Sequence, residues 1–338
     1  MIRADANAGI GVGHVMRCLS LAQAWRDEGG DVVFASAPGG AALDSRLFCE
    51  KMKVERLSAP AGSYEDARET LRLACEAGAS WIVIDGYRFG ADYQTWIKDS
   101  GRKLLCIDDF SQAEHYCADL LLNQNIYANE EMYSSREPYT KLLLGLSYAL
   151  LRREFVEWRA WRRDVPNQAD RILVTLGGGD PDNVTELVIR ALQSIPAVEC
   201  KIVIGSANPH RDSLKTRMNR YGESMQLLTD VQDMPALAAW ADLAISAGGG
   251  TCWELAFMGL PNLAVVIADN QKPIADHLQK AGISISLGWR ESLTVDLICE
   301  AVEKIRHDYE KRFAMSRAGR TAVDGLGASR AVKRMKEI

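Results

Sequence analysis

This sequence predicts an α/β chain built on parallel sheets, and three observations carry that prediction. Short apolar runs alternate with amphipathic stretches along most of the 338 residues, the pattern of strands feeding crossover helices. The alternation stops in a charged, Trp-rich segment at 153–170 and then begins afresh, so two units are expected. Glycine-rich stretches follow strand candidates and precede helical patterns in both halves, where loops at the carboxyl ends of parallel strands belong.

Taken in order, Met1 to Arg3 leave little material for a first strand, which is expected to be short. A helical pattern follows at 15–26, and further strand candidates stand at 31–37, 81–85, 104–107 and 120–122, with a second helical pattern at 64–77. The restart supplies strand candidates at 171–176, 200–205, 225–228, 243–246 and 262–266, so two Rossmann-like units are implied. Pro166, Asn167 and Gln168 close the intervening segment and place the boundary near 165, giving domains 1–164 and 165–310 with a ligand cleft expected between them.

Composition narrows the function. With 47% hydrophobic and 25% charged residues the chain is globular, and no run approaches the roughly 18 apolar residues of a membrane span. Arg3, Asp5 and early glycines do not make a secretory leader, so a cytoplasmic location is expected. A net charge of −5 offers no basic excess for a phosphate backbone, and no nucleic-acid partner is expected. The basic run from Arg152 to Arg163, interleaved with Trp158 and Trp161, reads as a solvated helix, so no membrane partner is expected either. The eight cysteines, without a Cys-x-x-Cys pair or a histidine at metal-ligand spacing, read as reduced, packed thiols.

The first chemical signal is Gly9-Ile10-Gly11-Val12-Gly13-His14-Val15-Met16-Arg17, a glycine loop opening an amphipathic helix. Free amides and the macrodipole at a helix start favour an anion and disfavour an imidazolium, so His14 is placed to accept a proton as a general base. The alternative is a histidine hydrogen-bonded in a tight turn. A dinucleotide fingerprint fails here. His14 stands where the last glycine of G-x-G-x-x-G belongs, and Ala35-Ser36-Ala37 supplies no acidic residue for a ribose. A G-x-x-x-x-G-K-[ST] sequence is also missing.

Two more glycine loops, Gly177-Gly178-Gly179-Asp180-Pro181-Asp182-Asn183 and Ser246-Ala247-Gly248-Gly249-Gly250-Thr251-Cys252-Trp253-Glu254, suggest a nucleotide diphosphate lying against helix starts. Thr251 and Glu254 form a T-x-x-E capping box, or else Glu254 accepts from ribose hydroxyls. Asp85-Gly86-Tyr87-Arg88 and Asp108-Asp109 end strand candidates; the paired aspartates could hold a metal, act as acid and base, or cap loops. The amides of Asn270 and Gln271 suit sugar recognition, with a helix cap as the alternative for Asn270.

Together, Arg3-Ala4-Asp5, the Gly11 to Arg17 motif, Asp85-Gly86-Tyr87, Gly145-Leu146-Ser147-Tyr148-Ala149-Leu150-Leu151-Arg152, both later glycine loops and Asn270-Gln271 resemble the UDP-2,4-diacetamido-2,4,6-trideoxy-β-L-altropyranose hydrolases of pseudaminic acid biosynthesis. The resemblance covers nearly the whole chain in order, and the set is also similar to the wider GT-B glycosyltransferases. It implies a GT-B fold whose C-terminal helix, about 311–338, returns to the first domain, with no cofactor and no metal. It implies a UDP-sugar and water as reactants, with His14 as the base for inverting attack of water on the anomeric carbon. Tyr87 and Asn270 would then meet the sugar or position water, and Glu254 would hold the ribose. The substrate-binding set expected is Gly13, Arg17, Tyr87, Gly177, Gly178, Asn183, Ser246, Gly249, Gly250, Thr251, Glu254, Asn270 and Gln271. A monomer is expected. The competing readings are a glycosyltransferase using the same base on an acceptor hydroxyl, and a nucleotide-sugar-binding protein without turnover.

Overall fold

The computed structural model describes residues 1–6, 11–38, 41–205, 208–218 and 224–338. It divides into two compact units, Met1–Arg153 with Leu326–Ile338, and Glu154–Gly325. These divisions fall earlier and later than the sequence boundaries near 165 and 311, for visible reasons. The Arg163 guanidinium donates to the carbonyls of Ala238, Ala241 and Met258, which ties the Trp-rich segment to the second unit. Of the segment 311–338, only the last helix of the chain belongs to the first unit.

The first unit runs β1 (Ile2–Ala4), α1 (Gly13–Asp27), β2 (Val33–Ser36), α2 (Ala41–Cys49), β3 (Lys53–Arg56), α3 (Tyr64–Glu76), β4 (Trp81–Asp85), α4 (Ala91–Lys98), β5 (Lys103–Ile107), β6 (Leu120–Asn123) and β7 (Lys141–Leu144). The unit boundary falls within the short α5 (Arg153–Val156). The second unit runs β8 (Arg171–Thr175), α6 (Val184–Gln193), β9 (Glu199–Ile204), α7 (Arg211–Met218), β10 (Met225–Thr229), α8 (Met234–Trp240), β11 (Leu243–Ala247), α9 (Thr251–Phe257), β12 (Asn262–Val266), α10 (Lys272–Lys280), β13 (Ser284–Trp289), α11 (Val295–His307) and α12 (Tyr309–Ala322). Finally α13 (Gly327–Lys336) packs against α1 in the first unit, while α12 packs on α9 in the second.

Both sheets are parallel, with orders β3-β2-β1-β4-β5-β6-β7 and β10-β9-β8-β11-β12-β13. The continuous apolar strands are explained by burial on two faces. In β4, Trp81 and Val83 enter one core with α1 and α13, while Ile82 and Ile84 enter another with α3 and α4. The neighbouring β5 splits the same way, Leu105 and Ile107 against Leu104 and Cys106. Short as it is, β1 is a central strand, pairing Ile2 with both Phe34 and Val83, and Ala4 with Asp85. No helix among the described residues is long and apolar enough to cross a membrane.

Strand order reverses between β1 and β4 in the first sheet and between β8 and β11 in the second. Loops leaving the carboxyl ends of such neighbours diverge to opposite faces and open a crevice, the usual ligand position in open α/β sheets. The sequence motifs fall on these two positions, each considered within its own unit.

Candidate active site

In the first unit, the loop after β1 enters α1 through Gly11, whose φ of +77° favours glycine. Gly9 and Ile10 lie outside the described residues. Val12 stands at the N-cap, no side chain caps α1, and no acid occupies its first turn. Val15, Cys18, Leu19 and Ala22 anchor the buried face of the helix. His14 and Arg17, three residues apart and so on one helix face, both meet Asp85, the last residue of β4.

His14 Nδ1 lies 2.6 Å from Asp85 Oδ1. An ionised carboxylate only accepts, so Nδ1 carries a proton, and in the neutral imidazole the lone pair then falls on Nε2. The donor-only Arg17 Nη2 stands 3.2 Å from Nδ1, a longer contact than its own 2.7 Å bond to Asp85 Oδ1, so the carboxylate is the nearer partner of both donors. No described residue hydrogen-bonds Nε2. The Tyr87 ring meets the imidazole edge-on at 4.8 Å and 82°, and Phe110 lies 5.1 Å beyond Tyr87. Tyr87 and Phe110 are each 44% exposed, so the buried imidazole has an accessible aromatic neighbour.

Arg17 binds two carboxylates at once: Nε and Nη2 donate to Asp85, each at 2.7 Å, and Nη1 donates to Asp109 Oδ1 at 2.6 Å. Asp109 also accepts from Asn125 Nδ2 at 3.0 Å and from the Tyr87 hydroxyl at 3.2 Å. Burial opposes ionisation of Asp85, but Arg17 and then His14 outweigh it and hold this carboxyl well below the usual range. Asp109 is also lowered, with burial opposing and Arg17 prevailing. Burial, reinforced by Asp85, pushes the Cys18 thiol well up, so that it serves as a donor toward Asp85 and not as a nucleophile. The arrangement is a histidine whose tautomer and charge are supported by a fixed carboxylate, the geometry of a general base.

The two adjacent aspartates separate in role. Asp108 accepts from Ser111 N, Tyr116 OH and Tyr133 OH, and so caps its loop. Asp109 joins the His14 network through Arg17. The orienting role of Asp85 and the bridging role of Asp109 are missing from the sequence-derived site; the signals were their position at strand ends and, for Asp85, its place in the Asp85-Gly86-Tyr87 motif. Arg17, expected to bind substrate, has its guanidinium engaged by these internal carboxylates.

In the second unit, Gly177 leaves β8 at φ +92°. Gly178 packs so closely on Gly205 that a Cβ at 205 would stand 2.4 Å from the Gly178 carbonyl oxygen. The first amides of α6 already have an anion: Asp180 accepts from Val184 N at 2.9 Å and Thr185 N at 2.8 Å. Asn183, at the N-cap with φ +53°, donates instead to Glu186 Oε2 at 2.9 Å. Asp180→Ala is therefore expected to cost about 0.5–2 kcal/mol, the scale of a lost helix cap. Urea unfolding measures it, and an unchanged midpoint would show that these amides need no carboxylate.

The loop after β11 corrects two expectations. Ser246 is fully buried because β11 continues through Ala247, and its hydroxyl donates to Asn262 Oδ1 at 3.0 Å, which makes it a core residue and removes it from the ligand set. Thr251 is the first residue of α9, with Gly250 at the N-cap and no side-chain cap, so the T-x-x-E capping box does not form. Glu254 is half-buried on that helix. Gly248 and Gly249 lie against Gln271, a Cβ at Gly249 standing 3.7 Å from Gln271 Nε2, while Gln271 Oε1 accepts from Ile267 N. Asn270 sits in the 3-10 turn Asp269–Gln271, capped by Ala268, and is not the cap of α10. Thus Gly177, Gly178 and Asn183 follow β8, Gly249, Gly250, Thr251 and Glu254 follow β11, and Asn270 and Gln271 follow β12, at adjacent strand ends of one sheet.

Residues 171–334 match the family described as glycosyltransferase family 28 C-terminal domain. The chain is 24% identical to the spore coat polysaccharide biosynthesis protein SpsG of Bacillus subtilis, over 100% of this chain and 97% of that protein. It is 27% identical to the UDP-2,4-diacetamido-2,4,6-trideoxy-beta-L-altropyranose hydrolase of Campylobacter jejuni, over 84% of this chain and 97% of the relative. Among solved structures, MurG of Acinetobacter baumannii is similar with a TM-score of 0.65 at 14% identity, over 100% of this chain and 99% of its own. The fold is that of the GT-B glycosyltransferases, two parallel-sheet Rossmann-like domains.

Proposed function

We propose that this protein hydrolyses a UDP-linked 2,4-diacetamido-2,4,6-trideoxy sugar to free sugar and UDP, a step in pseudaminic (nonulosonic) acid biosynthesis. The observation that carries the reading is the His14–Asp85 pair at the strand-order reversal of the first sheet. Nε2 of His14 takes a proton from water as the water oxygen bonds to the anomeric carbon. The bond from that carbon to the diphosphate oxygen breaks with inversion, and UDP departs with the electron pair. The imidazolium so formed rests against the Asp85 carboxylate, which stays ionised. UDP is a competent leaving group, so positioning and activating water is the larger part of the task. The hydrolase name of the Campylobacter jejuni relative supports the reaction class. In the second unit, the Gly248–Gly250 loop beside Gln271 is the element proposed to hold the nucleotide.

The test is turnover of UDP-2,4-diacetamido-2,4,6-trideoxy-altrose in 18O-labelled water without an acceptor, with the isotope located by mass spectrometry. Label is expected in the free sugar. Label in UDP would mean attack at phosphorus and would discard this role for His14.

A transferase reading has its own support in the family 28 match over residues 171–334. There the same base would deprotonate an acceptor hydroxyl. It predicts that UDP release waits on an added sugar, lipid or peptide acceptor, whereas hydrolysis proceeds in its absence.

A further inference from the structure

We infer that the first unit carries a surface site for a divalent cation of the zinc class, formed by His115, Cys117 and Glu137. One ligand atom from each lies within 4.8 Å of the other two, and all three side chains are half-buried. None belongs to the His14 network.

The backbone builds this convergence. Tyr116 and Arg136 form an isolated parallel bridge, in which Tyr116 N donates to Ser135 O at 3.1 Å and Glu137 N donates to Tyr116 O at 2.9 Å. Side chains alternate along extended backbone, so the two residues flanking Tyr116 share a side. Tyr116 itself turns into the core, where its hydroxyl donates to Asp108 at 2.6 Å. His115 already spans the partner segment, with Nδ1 at 3.1 Å from Ser135 Oγ and Nε2 at 3.3 Å from Glu137 Oε1. The Cys117 backbone is held from both ends, its N–H by Gln94 Oε1 at 3.0 Å and its carbonyl by the Tyr139 hydroxyl at 3.0 Å. A ligand set on fixed backbone needs only side-chain rotation to close.

The chemistry selects the ion. An imidazole nitrogen, a thiolate and a carboxylate oxygen form a mixed set that suits zinc, at about 2.0–2.3 Å from each ligand atom. Magnesium and calcium call for oxygen alone. Binding a zinc ion releases the Cys117 proton to solvent, and water takes the fourth position. The proposal departs from the sequence expectation that no histidine stands at metal-ligand spacing from a cysteine. His115 and Cys117 are two residues apart, a separation that means nothing in a helix but becomes one face in extended chain, and Glu137 arrives only through the bridge.

The experiment titrates the full chain with Co2+ as an optical probe and then displaces it with Zn2+. A thiolate-to-cobalt charge-transfer band at one equivalent is expected, lost in Cys117→Ser and insensitive to Mg2+. His115→Ala and Glu137→Gln should each weaken Co2+ binding by about tenfold or more. Zn2+ should raise the thermal midpoint of the unsubstituted protein and not that of Cys117→Ser, the two unfolding alike without metal. The absence of the band, its survival in Cys117→Ser, or unchanged Co2+ affinity in His115→Ala would overturn the site.

Discussion

His14→Ala is expected to lower turnover of the UDP-sugar by about 10²-fold or more while leaving UDP affinity nearly unchanged. His14 is 6% exposed, and its neutral imidazole carries a lone pair on Nε2 in the tautomer that the carboxylate on Nδ1 selects. Truncation removes that acceptor but leaves the Asp85 carboxylate its two bonds to Arg17, so the local structure persists. The loops proposed to hold the nucleotide belong to the second unit and are untouched. Initial rates of UDP release, set beside a calorimetric Kd for UDP, separate the two effects. Turnover close to that of the unsubstituted protein would take His14 out of the mechanism, and a matched loss of UDP affinity would recast it as a binding residue.

The sequence discloses this site unevenly, for physical reasons. Interior strands such as β4 and β11 are readable because burial on both faces makes them continuously apolar. The strands with no counterpart among the sequence candidates beyond the short β1, namely β3, β7 and β13, are all sheet edges. There Lys53, Glu55 and Arg56 break the apolar run, and Gly288 accompanies a register shift against β12. His14 and the glycine loops are legible because their signal is local. The partner of His14 is 71 residues away, and the two meet only because β1 and β4 are neighbours, an adjacency that no short motif encodes. The misreading of Thr251 is a matter of phase. A glycine can cap a helix without a side-chain signature, so the start of α9 looks one residue later in the sequence than it is.

Asp85→Asn is expected to reduce turnover by about 10²–10⁴-fold even though His14 remains, because the amide can donate to Nδ1 and so favour the tautomer with its proton on Nε2. The same substitution removes one of the two carboxylates that compensate the buried Arg17. Removing a partner from a buried pair costs about 3–5 kcal/mol, and the surviving contact with Asp109 places this case near the lower end. The sign of the pH dependence follows from the depressed folded-state pKa of Asp85. Its stabilisation is fully present above the unfolded value of about 3.9 and drains away as pH falls through the folded value. The stability gap between the two proteins should therefore be constant near neutrality and narrow by about 1 kcal/mol between pH 5 and pH 3. Urea unfolding at both pH values, with kcat measured at pH 7, checks the two claims independently. A gap that does not narrow would mean that Asp85 is not held ionised by Arg17 and His14, and full activity in Asp85→Asn would mean that another group sets the His14 tautomer.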